Sequence, residues 1–282
     1  MSEKEKNSGF NVKSEVFDNC RLTINSDFVR LLKHNGINTA ADLWELKGEA
    51  VKKILKERGT ERVILKNPGG GTVETYIKRY SPIPLKEKIK QAFSLKFYTF
   101  DAFHEWRALH AFLRLGLNTM IPIAVADAGD GRTCNLTLGI TNYIKAAELF
   151  KSFAPADRHR KFLLIKQAAT LAGRMHAAGF AHQDLYLVHM FVRPEEDDKI
   201  YLIDLQRLIM REKLNRRWRI KDLGQLLFSA RPEATEMDVK RFWKYYCDFA
   251  GKQLYRDKSL LAAIIAKADK ITARDARKGR KK

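Results

Sequence analysis

Apolar and polar residues alternate over several short stretches in the first half of the chain and recur at helical spacing in the second. Val51–Leu55, Val63–Lys66 and Thr72–Tyr80 are predicted as strands, separated by one turn around Gly59 and another at Asn67-Pro68-Gly69-Gly70-Gly71. A helix is predicted from Ala102 to Leu115, because Phe103, Trp106, Leu109 and Leu113 share a stripe and Gly116 suits the C-terminal cap. Two more strands are expected near Ile121–Asp127 and Thr133–Thr141. Strands with one embedded helix make an α+β lobe.

After Asn142 the pattern changes. Arg158–Ala178 reads as a helix with Phe162, Ile165, Ala169, Ala172 and His176 on one stripe and Gly179 as its stop. Short extended pieces bracket His182–Val192 and Lys199–Leu205. From Arg219 onward the chain reads helical, with Ile220, Leu223 and Leu227 on one face and Val239, Phe242, Tyr246 and Phe249 on another. The expected architecture is two-lobed: a small β-rich lobe over 48–141 and a larger helical lobe over 142–275. Residues 1–47 read as an N-terminal extension with a disordered start, and 276–282 as a basic tail. Clefts between such lobes are common ligand sites.

Charge sharpens this picture. Lys and Arg number 53 against 33 Asp and Glu, a formal +20, which favours polyanionic partners: nucleic acid, an anionic membrane surface or a phosphorylated substrate. Cys20, Cys134 and Cys247 are too few and too scattered for a disulfide framework or a paired zinc site, so a reducing, cytosolic setting is expected. No apolar run approaches the roughly 20 residues a membrane span needs, and Met1–Phe10 has no signal-like apolar core.

Phosphoryl transfer requires a cation on the nucleotide phosphates, acidic ligands for magnesium and a carboxylate that orients the attacking hydroxyl. Lys78, near the end of the third predicted strand, can supply the cation, and Glu105 on the following helix can pair with it. Asp184 follows His182-Gln183 straight after the long helix. Asp204 stands twenty residues later, behind an apolar strand. Taken singly, each of these is as readily a surface charge or a turn residue. Their order is what points to chemistry.

That ordered set, with His189 after Asp184, resembles the protein-kinase-like superfamily, and within it the lipopolysaccharide core kinases that phosphorylate heptose or Kdo sugars. The resemblance runs from about Gly48 to Ser229 and is carried by FHEWRAL, HQDLYLVHMFV, YLIDLQR and IKDLGQLLFSA. It implies a two-lobed protein-kinase-like fold, ATP and Mg2+ as cofactors, and a lipopolysaccharide core glycolipid as acceptor. It further implies Lys78 on the phosphates with Glu105 as partner, Asp184 as catalytic base and Asp204 as metal ligand. Asp222 would be the buried helix carboxylate beneath the catalytic loop, and Asn142, Tyr143 and Ile144 the hinge whose backbone meets adenine.

Departures from the protein-kinase pattern narrow the substrate. No G-x-G-x-x-G precedes Lys78; Gly69-Gly70-Gly71 reads as a hairpin turn, which leaves Lys56–Thr60, with Gly59, as the nucleotide-covering loop. Gln183 stands where many protein kinases carry an Arg that reads activation-loop phosphorylation. Asp222 follows Asp204 by only eighteen positions, too few for a peptide-docking segment. His189 replaces the Asn that binds a second metal; metal ligand, phosphate donor and a group orienting Asp184 are its open roles. His182 is expected to be structural, tying the loop down through a backbone hydrogen bond.

Two basic clusters, Lys86, Lys88, Lys90 and Lys96 among aromatic residues, and Arg211, Lys213, Arg216, Arg217 and Arg219, suit an anionic leaflet or a phosphorylated glycolipid. The expected protein is thus an ATP-dependent sugar kinase, peripheral at the cytoplasmic face of the inner membrane. Alternatives are another small-molecule or atypical protein kinase of the same fold, a pseudokinase, and a nucleic-acid-binding protein. For the last there is no recognisable motif, and no specific nucleic acid is expected.

Overall fold

The structure, a computed structural model, describes residues 13–55, 58–82 and 101–279. The chain divides between Thr141 and Asn142 into two compact units.

The first unit is built on one antiparallel seven-stranded sheet in the order β1-β2-β6-β7-β5-β4-β3. In chain order its elements are β1 (Ser14–Phe17), β2 (Leu22–Asn25), α1 (Val29–His34), α2 (Ala40–Trp44), β3 (Glu49–Leu55), β4 (Arg58–Lys66), β5 (Thr72–Tyr80), α3 (Ala102–Arg114), β6 (Pro122–Gly129) and β7 (Arg132–Leu138). The predicted hairpin turn joins β4 to β5. Gly70 and Gly71 take φ of +96° and +76° there, and Asn67 and Gly71 close the turn.

Two expectations fail in this unit. Residues 14–44 are not an extension ahead of the lobe: β2 pairs with β6, setting Leu22 opposite Ala126 and Ile24 opposite Ala124. Leu22, Ile24, Leu32, Ile37 and Leu43 join Ile77, Ile123 and Leu136 in one core. Burial of that apolar side-chain surface drives the segment onto the sheet, and a capping box between Thr39 and Asp42 starts α2. Gly59, in turn, lies within β4 opposite Lys53 and Arg79 rather than in a loop. The connection between β3 and β4 falls at residues 56–57, outside the described residues. So does the first basic cluster, Lys86 to Lys96.

The second unit is mainly helical: β8 (Ile144–Lys145), α4 (Ala146–Ser152), α5 (Arg158–Ala177), β9 (Phe180–Ala181), β10 (Met190–Arg193), β11 (Lys199–Leu202), β12 (Ile209–Met210), α6 (Arg216–Ala230), α7 (Glu236–Ala250) and α8 (Lys258–Gly279). The strands form two small sheets, β11-β10-β8 and β12-β9. α6 packs closely on α8: a Cβ at Gly224 would lie 2.5 Å from the Lys267 side chain. Gly179 ends the α5 region at φ +81°, with the Arg211 backbone so near that no side chain fits. Phe249, placed on one face of α7 with Tyr246, is exposed, while Tyr246 and Cys247 are buried. Among the described residues no helix is long and apolar enough to cross a membrane.

Candidate active site

In the first unit, the extended β5 carries Lys78 and the N-terminal turn of α3 carries Glu105. Asp101 caps α3 by accepting from the His104 amide. Lys78 Nζ donates to Glu105 Oε1 at 2.6 Å. Glu105 is fully buried, and its other oxygen accepts from Tyr80 Oη at 2.9 Å and Asn135 Nδ2 at 3.0 Å. A carboxylate buried with three donors is fixed in place, and it fixes the ammonium in turn.

In the second unit, the loop His182–His189 lies along one face of α6. Asp222, Gln225 and Ser229 repeat at intervals of three and four, so they share a helix stripe. Asp222 accepts from the His182 amide at 2.7 Å and the Gln183 amide at 2.8 Å. Gln225 Oε1 accepts from the Leu185 amide at 3.3 Å, and Ser229 Oγ from the Leu187 amide at 3.0 Å. The loop backbone is therefore suspended from polar side chains of a helix. Gln183, at φ +70°, takes the left-handed conformation this requires.

Asp222 has a further partner in His176 Nε2, 3.2 Å away, whose Nδ1 lies 2.9 Å from Tyr246 Oη. Arg219 Nη1 donates to the same tyrosine oxygen at 2.6 Å. Burial holds the His176 pKa below its ordinary value, against the pull of Asp222. The contact is thus a hydrogen bond from a neutral ring to the carboxylate rather than an ion pair. His182 is likewise depressed by burial. Its Nε2 donates to the Ile203 carbonyl at 2.9 Å, and its Nδ1 accepts from the Asp184 amide at 3.3 Å. A neutral ring satisfies both bonds.

Asp184 and Asp204 are half-buried. Asp204 follows β11 at φ +65° and opens the turn Leu205–Arg207. His189 Nδ1 lies 2.7 Å from the Asp184 carbonyl, an acceptor only, so Nδ1 carries a proton and Nε2 is the nitrogen available to a ligand. Arg207 Nη1 donates to Asp184 Oδ2 at 2.8 Å. Asn142, Tyr143 and Ile144 are exposed. Asn142 bonds Glu195, Tyr143 stacks on Phe191 at 3.9 Å, and Ile144 pairs with Val192. Of the second basic cluster, Arg211, Lys213, Arg216 and Arg217 are exposed, whereas Arg219 turns inward to Tyr246.

The model of the lipopolysaccharide kinase (Kdo/WaaP) family matches residues 41–246. The chain belongs to this family. It is 33% identical to the lipopolysaccharide core heptose(I) kinase WaaP of Escherichia coli over 84% of its own length and 96% of that protein. To the kinase of the same name from Pseudomonas aeruginosa it is 28% identical over 92% and 98%. The solved structure of WaaP in complex with acyl carrier protein matches with a TM-score of 0.68 and 25% identity, covering 89% of this chain and 98% of that one. Family membership makes the chain a phosphotransferase of lipopolysaccharide biosynthesis with a kinase-like fold, acting on an alcohol group.

Sequence reasoning missed several residues of this Kdo/WaaP-family site. Tyr80 and Asn135 around Glu105 give no sequence signal, because their contact is made across strands. Gln225 and Ser229 do give one: with Asp222 they are polar residues at helical spacing among Leu223, Leu226 and Leu227, a pattern that asks what they bond. Arg207 sits inside the motif YLIDLQR, which by itself assigns it no role.

Proposed function

We propose that this chain transfers the γ-phosphoryl group of ATP to a hydroxyl of a lipopolysaccharide inner-core sugar, heptose before Kdo, at the cytoplasmic face of the inner membrane. One observation carries the chemistry. A loop suspended from α6 presents Asp184 in a chain related along most of its length to heptose(I) kinases. Asp184 acts as the base, accepting the acceptor hydroxyl's proton late in the transfer. Lys78, held by Glu105, meets the nucleotide phosphates. Asn142–Ile144 serve as the adenine hinge.

The residues fit magnesium. Mg2+ is commonly held by one or two carboxylates and completed by phosphates and water, and Asp204 supplies a carboxylate with His189 Nε2 as a second donor. When bound, the ion neutralises charge on the transferring phosphoryl group. The exposed cations Arg211, Lys213, Arg216 and Arg217 suit an anionic membrane surface or the acceptor's own phosphates.

The test is mass spectrometry of lipopolysaccharide from cells lacking the gene, complemented with wild type or Asp184→Asn. Wild type should restore one core phosphate and the variant should not. Identical cores in all strains would refute the activity, and a phosphate restored on Kdo would move the acceptor. A relative was solved with acyl carrier protein, and co-purification with that protein checks whether this chain shares the partner.

A further inference from the structure

The loop His182–His189 contains no lysine or arginine. A cation nevertheless stands on its carboxylate, brought from another segment: Arg207 Nη1 lies 2.8 Å from Asp184 Oδ2. Among the described residues it is the one side chain bonded to that carboxylate. The Asp184 backbone is already fixed. Its amide donates to His182 Nδ1, and its carbonyl accepts from the Tyr186 amide at 2.9 Å and from His189 Nδ1. What remains free is rotation of the side chain, and that is the freedom a charge-assisted bond to Oδ2 removes.

We infer that Arg207 is a positioning residue that sets the Asp184 carboxylate for proton acceptance, with Oδ2 tethered and Oδ1 left for the acceptor hydroxyl. The inference rests on the reading of Asp184 as base. The donor is itself anchored. Leu205 and Leu208, on either side of Arg207, are buried, and the Leu208 amide closes onto the Leu205 carbonyl at 2.9 Å. The Arg207 carbonyl accepts from Gln183 Nε2 at 2.6 Å. Immediately afterwards β12 pairs with β9, which precedes His182. The guanidinium therefore projects from a segment tied at both ends to the loop it serves.

This arrangement also accounts for Gln183. Its amide bridges the Arg207 carbonyl and Lys221 Nζ, the latter at 3.3 Å. Lys221 feels both burial and the Arg207 charge, which lower its pKa. An arginine at 183 would be a third cation crowding one carboxylate. The cation beside Asp184 comes from the turn after Asp204 instead, always in place and needing no phosphorylation to recruit it.

The test uses the full chain, ATP, and lipopolysaccharide extracted from cells lacking the gene as acceptor. Arg207→Ala should lower kcat about a hundredfold, the scale expected for a misplaced catalytic group, while leaving KM for ATP and the melting temperature unchanged. Added guanidinium ion should restore part of that loss and do nothing to wild type. Arg207→Lys, which keeps the charge but not the planar fork, should fall between. If the alanine variant does not fold, the kcat of Arg207→Lys against wild type carries the test, and a wild-type kcat there overturns the role of the planar fork. In an Asp184→Asn background Arg207→Ala should cost nothing further. An unchanged kcat in Arg207→Ala, or an equal loss in both backgrounds without rescue, overturns the positioning role alone. Wild-type activity in Asp184→Asn overturns the base assignment itself.

Discussion

Asp222→Asn is the substitution that most directly probes how the catalytic loop is held. The carboxylate is fully buried and receives three N–H donors, from His182, Gln183 and the His176 ring, at 2.7, 2.8 and 3.2 Å. Asparagine keeps the shape but has one acceptor oxygen. If that oxygen serves His182 and His176, the new NH2 faces the Gln183 amide, donor against donor. The site loses a hydrogen bond to a charged group and buries an unmet donor, together about 3 kcal/mol. At about 2–4 °C per kcal/mol for a domain of this size, the melting midpoint should drop by about 6–12 °C. The Gln183–Asp184 backbone is the part released, so kcat should fall with it. Differential scanning calorimetry and steady-state phosphoryl transfer measure both. A midpoint within about 1 °C of wild type together with wild-type turnover would refute the account, since a buried amide donor cannot be set against another donor at no cost.

Glu105→Gln should raise KM for ATP roughly tenfold, because the neutral amide no longer fixes the Lys78 ammonium; an ATP titration showing wild-type KM would separate that ion pair from nucleotide binding. Stability should also fall on acidification. His176 and His182 are held neutral by burial, so below the ordinary value of 6.5 the unfolded chain binds protons that the folded chain does not. The sign is therefore loss of stability as pH falls from about 6.5 toward the depressed folded values, with a slope of up to about 2.7 kcal/mol per pH unit for two groups. Urea midpoints at intervals between pH 7.5 and 5.5 measure it, and His182→Gln should remove about half the slope; a flat profile would mean that these rings titrate when folded.

The order of elements was legible because long periodic segments declare themselves. Of the stripe Phe162, Ile165, Ala169, Ala172 and His176, all but the half-buried Phe162 are buried as the spacing demands, and the glycine turn of the β4–β5 hairpin is where the run of three glycines puts it. Residues 14–44 were harder to read, since strands as short as Leu22–Asn25 offer only two or three alternations and gain their meaning from a partner a hundred residues away. Gly59 misled because glycine was read as a turn, whereas here a strand tolerates it. At the site, the carboxylates were visible as motifs, but their supports were not. Arg207 reaches Asp184 across twenty-three positions, and Glu105 meets Asn135 across thirty; no local pattern encodes such pairs. Arg219 looked like one more surface charge, yet it ends a buried chain through Tyr246 and His176 to Asp222.

The suspension of the loop from Asp222, Gln225 and Ser229 sets a length as well as a position. A helix advances about 1.5 Å per residue, so these anchors span about 10 Å along α6. The backbone amides they receive come from residues 182 to 187 of an irregular segment that bends at Gln183. Two spacings of different pitch must therefore coincide at three points. A substitution at one anchor loosens one point, but deletion of a single residue between His182 and Leu187 shifts every later amide off its acceptor. Away from His182 and Asp184, side chains in this stretch can change one at a time without moving the amides, whereas its length cannot.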